Sequence, residues 1–206
     1  MSKHTTNEYE TLYWGQSRLI VGLDEAGRGP LAGPLVVAGV VFNQGYENDD
    51  IYDSKGISLK KRESLYDLIL EEAKEYFIEI IEPKVIDDEN IYRATQNAMD
   101  RIASKASVGV VLTDAMPLPN QTKEVVSLIK GDQKSISIAA ASILAKVTRD
   151  RIMIEYDKQY PAYGFKQHKG YPTKQHLEAL EKYGVLEIHR RSYGPVQNCL
   201  QMKLDL

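Results

Sequence analysis

Apolar and polar positions along the chain fall into blocks that predict a mixed α/β fold. Residues 19–23 (LIVGL) form a short apolar run, and residues 35–42 (LVVAGVVF) are apolar and β-branched, so both read as strands. Residues 24–34 (DEAGRGPLAGP) are dense in Gly and Pro, which predicts a tight, irregular connection within an antiparallel hairpin. Ser58 followed by residues 59–74 has the pattern of a capped, charged helix. Residues 76–81 (YFIEII) alternate as a third strand. Asn90 is the expected cap of a helix reaching about Lys105, with Ile91, Ala94, Ala98 and Ile102 on one face. Residues 108–112 (VGVVL) predict a buried strand ending just before Asp114, and residues 125–129 a fifth strand ending near Asp132.

A long helical pattern covers residues 136–160. It opens on Ala139, Ala140, Ala141 and Ser142, which are small enough to lie close against a sheet. A shorter helix is expected over residues 173–183, with Gly184 as its C-cap. At the C-terminus Leu200, Met202, Leu204 and Leu206 alternate, which favours a packed strand over a partner-binding tail. Repeats and linkers are absent. The expectation is an α/β chain of one catalytic domain: a mixed five-stranded sheet flanked by helices over about 17–160, then a helical region over about 161–206.

Composition narrows the class. At 43% hydrophobic residues, the 206-residue chain can bury a sizeable core. No apolar run is long enough to span a membrane, and residues 1–16 lack the apolar stretch of a secretory signal. The single cysteine, Cys199, can form no internal disulfide. A cytoplasmic protein is expected. The net charge is only −3, but its distribution is uneven. Residues 131–206 hold 12 Lys and Arg against 8 Asp and Glu, whereas residues 1–130 are strongly acidic. A basic C-terminal part suits a polyanion, and an acidic N-terminal part suits a cation.

The candidate chemistry lies at strand ends. The first strand ends at Asp24-Glu25, the fourth at Asp114, and the fifth near Asp132. Ligands of α/β sheets gather at the carboxyl ends of strands. Carboxylates that converge repel one another unless a cation lies between them, and hard cations such as Mg²⁺ choose oxygen ligands. No Cys/His cluster offers a zinc site. Such a cluster beside phosphate-binding groups suits two-metal phosphoryl transfer.

Gly27-Arg28-Gly29 follows the acidic pair; its glycines let the backbone approach a ligand, and Arg28 adds a phosphate-binding fork. Its spacing is neither that of a P-loop nor that of a dinucleotide fingerprint. Residues 163–171 (YGFKQHKGY) interleave aromatics with Lys166, His168 and Lys169, a pattern suited to stacking and phosphate contact. Lys146 and Arg149 share a helix face, and His189-Arg190-Arg191 adds a basic cluster. Taken alone, these residues admit a ribonuclease, another metal nuclease such as a Holliday-junction enzyme, or a binding module without catalysis.

Taken together, the segments resemble bacterial ribonuclease HII. The likeness rests on DEAGRG at 24–29, DSK at 53–55, DAMPLP at 114–119, GDQKSISIAAASILAKVTRD at 131–150, HKGY at 168–171 and HRRSYGPV at 189–196. It runs in order from about Leu19 to Val196. The resemblance implies a ribonuclease H core and an endonuclease acting on the RNA strand of RNA–DNA hybrids. It also implies incision 5′ to ribonucleotides embedded in duplex DNA, as in ribonucleotide excision repair, leaving 3′-hydroxyl and 5′-phosphate ends. The family's metal-binding catalytic acids map onto Asp24, Glu25, Asp114 and Asp132, with Mg²⁺ or Mn²⁺ as the cofactor. Its glycine-arginine-glycine motif maps onto Gly27, Arg28 and Gly29, which sense the ribose 2′-OH. Its sugar-packing tyrosine maps onto Tyr171.

Lys55, Lys146, Arg149, His168, Lys169 and Arg190 are expected as further substrate contacts. The family often has two lysines after DS, where this chain has Lys55-Gly56. The related ribonuclease HIII carries an additional N-terminal domain, for which a first acid at residue 24 leaves no room. A monomer acting on nucleic acid is expected, and no sliding-clamp partner is legible in the sequence.

Overall fold

The computed structural model describes residues 4–52 and 56–202. The chain divides into two compact units. One comprises Met1–Ala26, Val36–Glu79 and Thr95–Val147, the other Gly27–Leu35, Ile80–Ala94 and Thr148–Leu206. The boundary therefore falls inside the long helix, and the second unit gathers two early stretches together with the C-terminal third.

The first unit is built on the five-stranded sheet. Strands β1 (Ile20–Ala26), β2 (Leu35–Val41), β3 (Glu75–Ile81), β4 (Val110–Asp114) and β5 (Glu124–Leu128) lie in the order β3-β2-β1-β4-β5. β1 pairs antiparallel with β2 and parallel with β4, and β4 pairs parallel with β5. The expected hairpin and the adjacency of the three acid-bearing strands are both present. β4 sits two residues later than the pattern predicted, so Asp114 is its last residue rather than the second beyond it.

Side chains alternate across a sheet, and two glycines on neighbouring strands show what covers each face. A Cβ on Gly22 would meet the backbone of Ser137 and Ile138, at the start of helix α5 (Ile136–Gln159). A Cβ on Gly39 would stand 2.6 Å from Ile102 of helix α4 (Ile91–Lys105). Gly39 pairs with Leu23, one residue from Gly22, so the two helices cover opposite faces. Asn90 caps α4 as expected, accepting from Arg93 N at 3.0 Å. Ser58 caps α2 (Leu59–Glu72), accepting from Lys61 N.

Helix α1 (Glu8–Trp14) was not legible in the pattern; its seven residues are too few to show a helical period. It caps α5. Asn7 Oδ1 accepts from Ile136 N at 3.1 Å, and Glu10 Oε1 accepts from Ser137 N at 3.1 Å and from Ser135 Oγ at 2.5 Å. Three of the four orphan amides of a helix start can be met this way, because Ser135 Oγ also takes Ile138 N. Burial holds the Glu10 carboxyl above its ordinary range.

The second unit is packed around two apolar clusters. One holds Ala32, Met153, Tyr163, Phe165, Ala179 and Ile188, and the other Leu31, Leu180, Val196 and Cys199. Its shorter helices are α3 (Pro83–Glu89), α6 (Phe165–His168), α7 (Lys174–Tyr183) and α8 (Gly194–Met202). Gly184 closes α7 at φ 91°, as the sequence predicted, and Thr173, expected as its first residue, is instead its N-cap. The expected C-terminal strand is instead α8. Val196, Cys199 and Leu200 turn inward at helical spacing, which outcompetes the weak alternation. Leu204 and Leu206 lie outside the described residues. Among the described residues no helix is long and apolar enough to cross a membrane.

Candidate active site

The first unit brings the acids to one strand end. The β1–β4 register sets Leu23 beside Thr113, so Asp24 and Asp114 follow at the same level. Asp24 is 7% exposed, while Glu25 and Asp114 are half-buried. Asp24 Oδ1 accepts from Glu25 N at 2.7 Å, and Ser142 of α5 also hydrogen-bonds to it. Burial raises the Asp24 carboxyl well above the usual carboxylate range, and the charges of Glu25 and Asp114 raise it further.

Beyond β4 the chain turns through Ala115 at φ 49°, and beyond β5 through Lys130 at φ 58°. Both are left-handed, which costs an L-residue roughly 1–2 kcal/mol. The second turn delivers Gly131, whose N–H donates to Asp114 Oδ1 at 2.8 Å. Asp132 follows, half-buried on the 3-10 turn Gly131–Gln133. It is thus tied to Asp114 through its neighbour.

The donor set suits a hard divalent cation: oxygen only, with one carboxylate buried against two others. Among the described residues no three His, Cys, Asp or Glu side chains form a ready-made cage. Uncompensated carboxylates repel, and Mg²⁺ keeps several waters while taking one or two protein carboxylates. The arrangement therefore fits an ion that completes its shell with water.

The second unit holds the glycine loop and the tyrosine. Gly27 lies at φ 102°, and a Cβ there would collide with the Arg149 side chain. Arg28 is exposed. A Cβ on Gly29 would stand 3.4 Å from the ring of Tyr171, which is 43% exposed. The Arg149 guanidinium carbon lies 6.0 Å from that ring's centroid.

Three residues read as surface contacts are internal. Arg190 donates to the carbonyls of Gly27, Arg28 and Gly33, and Arg149 to those of Ala32, Pro34 and Lys169. Both are at most 1% exposed. They clamp the loop from beneath, because its irregular backbone leaves carbonyls that no strand or helix satisfies. Burial and the charge of Arg190 lower the Arg149 guanidinium to about 10. His168 is also buried, with both ring nitrogens bonded to backbone. Lys146 and Lys169 are half-buried, Arg191 is exposed, and Lys55 lies outside the described residues.

Sequence reasoning missed His176 and read His189 only as part of a basic cluster; both join His168 in the core of this unit. Burial lowers both imidazoles to about 4. The folded state therefore refuses protons that unfolded imidazoles accept near pH 6.5. Stability from this source is present above pH 6.5 and lost as pH falls toward 4. Melting followed by circular dichroism should show a loss on the order of 3 kcal/mol for each imidazole across that window. A flat acid limb would contradict neutral burial.

A mixed five-stranded sheet of this order, flanked by helices, is of the ribonuclease H-like class of fold. Comparisons with known proteins agree. A family model described as Ribonuclease HII matches residues 21–196. A ribonuclease HII of Francisella tularensis subsp. tularensis is 53% identical over 181 residues, 87% of this chain and 97% of that protein. The chain belongs to the ribonuclease HII family, and it is accordingly an endonuclease.

Solved structures share the fold. Ribonuclease H2 from Pyrococcus horikoshii OT3 superposes with a TM-score of 0.78 at 24% identity, covering 91% of this chain and all of that one. The ribonuclease HII of Archaeoglobus fulgidus, solved in complex with PCNA, gives 0.74 at 26% identity over 85% of this chain and 95% of that one. Bst-RNase HIII in complex with Mn²⁺ gives 0.65 at 16% identity, covering 92% of this chain and 71% of that one.

Proposed function

We propose that this protein hydrolyses the RNA strand of RNA–DNA hybrids and incises 5′ to ribonucleotides embedded in duplex DNA, leaving 3′-hydroxyl and 5′-phosphate ends. The observation that carries the reading is the buried Asp24, flanked by Glu25 and Asp114 at a shared strand end in a chain of this family.

Asp24, Glu25, Asp114 and Asp132 are the residues that would hold Mg²⁺ or Mn²⁺, which in a two-ion site supply activation of water and stabilisation of the leaving oxygen. Asp24 is the ligand best placed to be shared, being the most buried and flanked by two of the others. Ser142 and the Glu25 amide fix its rotamer. Gly131 fixes Asp114, and the same turn carries Asp132.

Selectivity requires reading the 2′-OH, the group that separates RNA from DNA. The chain passes from Glu25 to Gly27 across one residue, so the loop that reads the sugar is tethered to the acids. Arg28 is exposed for phosphate, and Tyr171 offers a ring on which the next sugar packs. Lys146, Lys169 and Lys55 remain candidates for backbone phosphates. The protein is taken to act as a monomer in the cytoplasm, and the PCNA-bound Archaeoglobus relative supports a sliding clamp as the partner to test.

Tyr171→Ala is expected to lower kcat/KM on a duplex with one ribonucleotide by about 10-fold or more, and to lower it less on a uniform hybrid. Steady-state kinetics on the two substrates measures this. Equal losses would remove Tyr171 from the recognition of the junction.

A further inference from the structure

Tyr171 is held from behind by a run of three imidazoles. His168, His176 and His189 are 9%, 0% and 1% exposed, and Phe165 packs edge-on against the first two. The rings of His168 and His176 stack at 4.7 Å. A core of this kind would accept phenylalanine or leucine at lower desolvation cost, so the polar atoms need an explanation.

Their bonds supply one. His168 Nε2 meets Tyr163 O at 2.8 Å, and its Nδ1 meets Gly170 N at 3.2 Å. Tyr171 N donates to His168 O at 2.9 Å. His176 Nδ1 meets Tyr171 O at 3.0 Å, and its Nε2 lies 3.1 Å from His189 Nε2. Leu186 N donates to His189 Nδ1 at 2.9 Å.

The backbone partners dictate every tautomer. Carbonyls only accept and amides only donate. His189 must therefore carry its proton on Nε2 and donate to His176, and His176 must carry its own on Nδ1 and donate to Tyr171 O. His168 carries its proton on Nε2. Each imidazole is neutral and fully used. Two of them converge on successive residues, Gly170 and Tyr171, just where the chain turns through Lys169 at φ 52° and Gly170 at φ 85°.

We propose that His176, oriented by His189, is a positioning residue for Tyr171: the bonded imidazole pair fixes the carbonyl that sets the ring over Gly29, and so tunes selection of single embedded ribonucleotides. This rests on the reading of Tyr171 given above. His176 does not touch substrate; it acts through Tyr171.

The test compares His176→Phe, His176→Asn and Tyr171→Ala with the unmodified protein above pH 7. Each is assayed on a one-ribonucleotide duplex and on a uniform RNA–DNA hybrid, with thermal melting in parallel. Phe keeps the packing and removes the donor; Asn keeps an N–H near the Nδ1 position. His176→Phe should lower kcat/KM on the single ribonucleotide by about 10-fold, chiefly through KM, and change hybrid cleavage by less than about 3-fold. Asn should recover most of the loss. The double variant His176→Phe/Tyr171→Ala should be no worse than Tyr171→Ala alone.

Should His176→Phe fail to fold, His189→Leu, one bond further back, should show the same selective loss at smaller size. A shifted substrate ratio in Tyr171→Ala with an unshifted one in the histidine variants would overturn the positioning role alone. An unshifted ratio in Tyr171→Ala would overturn the reading of Tyr171 and this inference with it. Equal losses on both substrates, following the fall in melting temperature, would reduce His176 to a core residue.

Discussion

Asp24→Asn is expected to abolish hydrolysis while making the metal-free protein more stable. Activity should fall by at least about 10³-fold, the scale on which loss of a central catalytic group is felt. The gain in stability follows from burial. Ionising Asp24 costs desolvation and repulsion from Glu25 and Asp114. Its carboxyl is raised in the folded state, so the contribution it makes is favourable below about pH 4 and is lost as pH rises through its folded value. Asparagine keeps an oxygen for Glu25 N and removes the charge. At pH 7.5, without divalent ions, the variant should melt at a higher temperature than the unmodified protein. Adding Mg²⁺ or Mn²⁺ should raise the melting temperature of the unmodified protein by mass action and leave the variant nearly unmoved. The two melting series, with and without EDTA, read the site independently of activity.

The largest stability effect is expected from Arg190→Met. Arg190 is 0% exposed and sends Nε, Nη1 and Nη2 to the carbonyls of Gly33, Arg28 and Gly27, with Nη1 also reaching Tyr193 Oη at 3.0 Å. Methionine fills much of the volume but leaves these acceptors buried without donors. Each unmet buried group costs about 1–3 kcal/mol. Tyr193 Oη still serves Arg28 O at 2.6 Å, so the loss should be roughly 3–5 kcal/mol. The melting temperature should drop by about 10 °C or more. Lysine should not rescue, because one ammonium cannot reach carbonyls spread around a planar fork. Since the released carbonyls belong to Gly27 and Arg28, activity should fall even at temperatures where the variant stays folded. A variant that melts like the unmodified protein would contradict the clamp.

Legibility in the sequence followed the strength of local patterns. The five strands and the helices α2, α4, α5 and α7 were readable because each carries a sustained apolar pattern, and the caps Ser58, Asn90 and Gly184 serve where expected. Helices α1, α3, α6 and α8 were not, being short and held by tertiary contacts. Asp24, Glu25 and Asp114 were readable from strand ends, since register places them together once β1 and β4 are neighbours. Asp132 was the least legible of the four, because it depends on a left-handed Lys130 and on the Gly131–Asp114 bond.

The basic residues misled for a physical reason. Sequence shows charge but not burial, and Arg149 and Arg190 spend theirs on backbone carbonyls inside the second unit. Part of the C-terminal excess of positive charge is therefore structural rather than a surface for a polyanion. His176 gave no signal, since an isolated histidine has no period, and His189 read as part of a basic cluster although it is 1% exposed. Ser142 lay within a run of small residues that read only as packing, yet its hydroxyl reaches Asp24.

The central claim is tested most directly by incision of a duplex carrying one ribonucleotide, with the products resolved at nucleotide length. The unmodified protein with Mg²⁺ or Mn²⁺ should cut once, immediately 5′ to the ribonucleotide, leaving a 3′-hydroxyl, and should leave the all-DNA duplex intact. Asp24→Asn, or addition of EDTA, should abolish the product. Cutting of the all-DNA duplex, or incision that persists in EDTA, would contradict it.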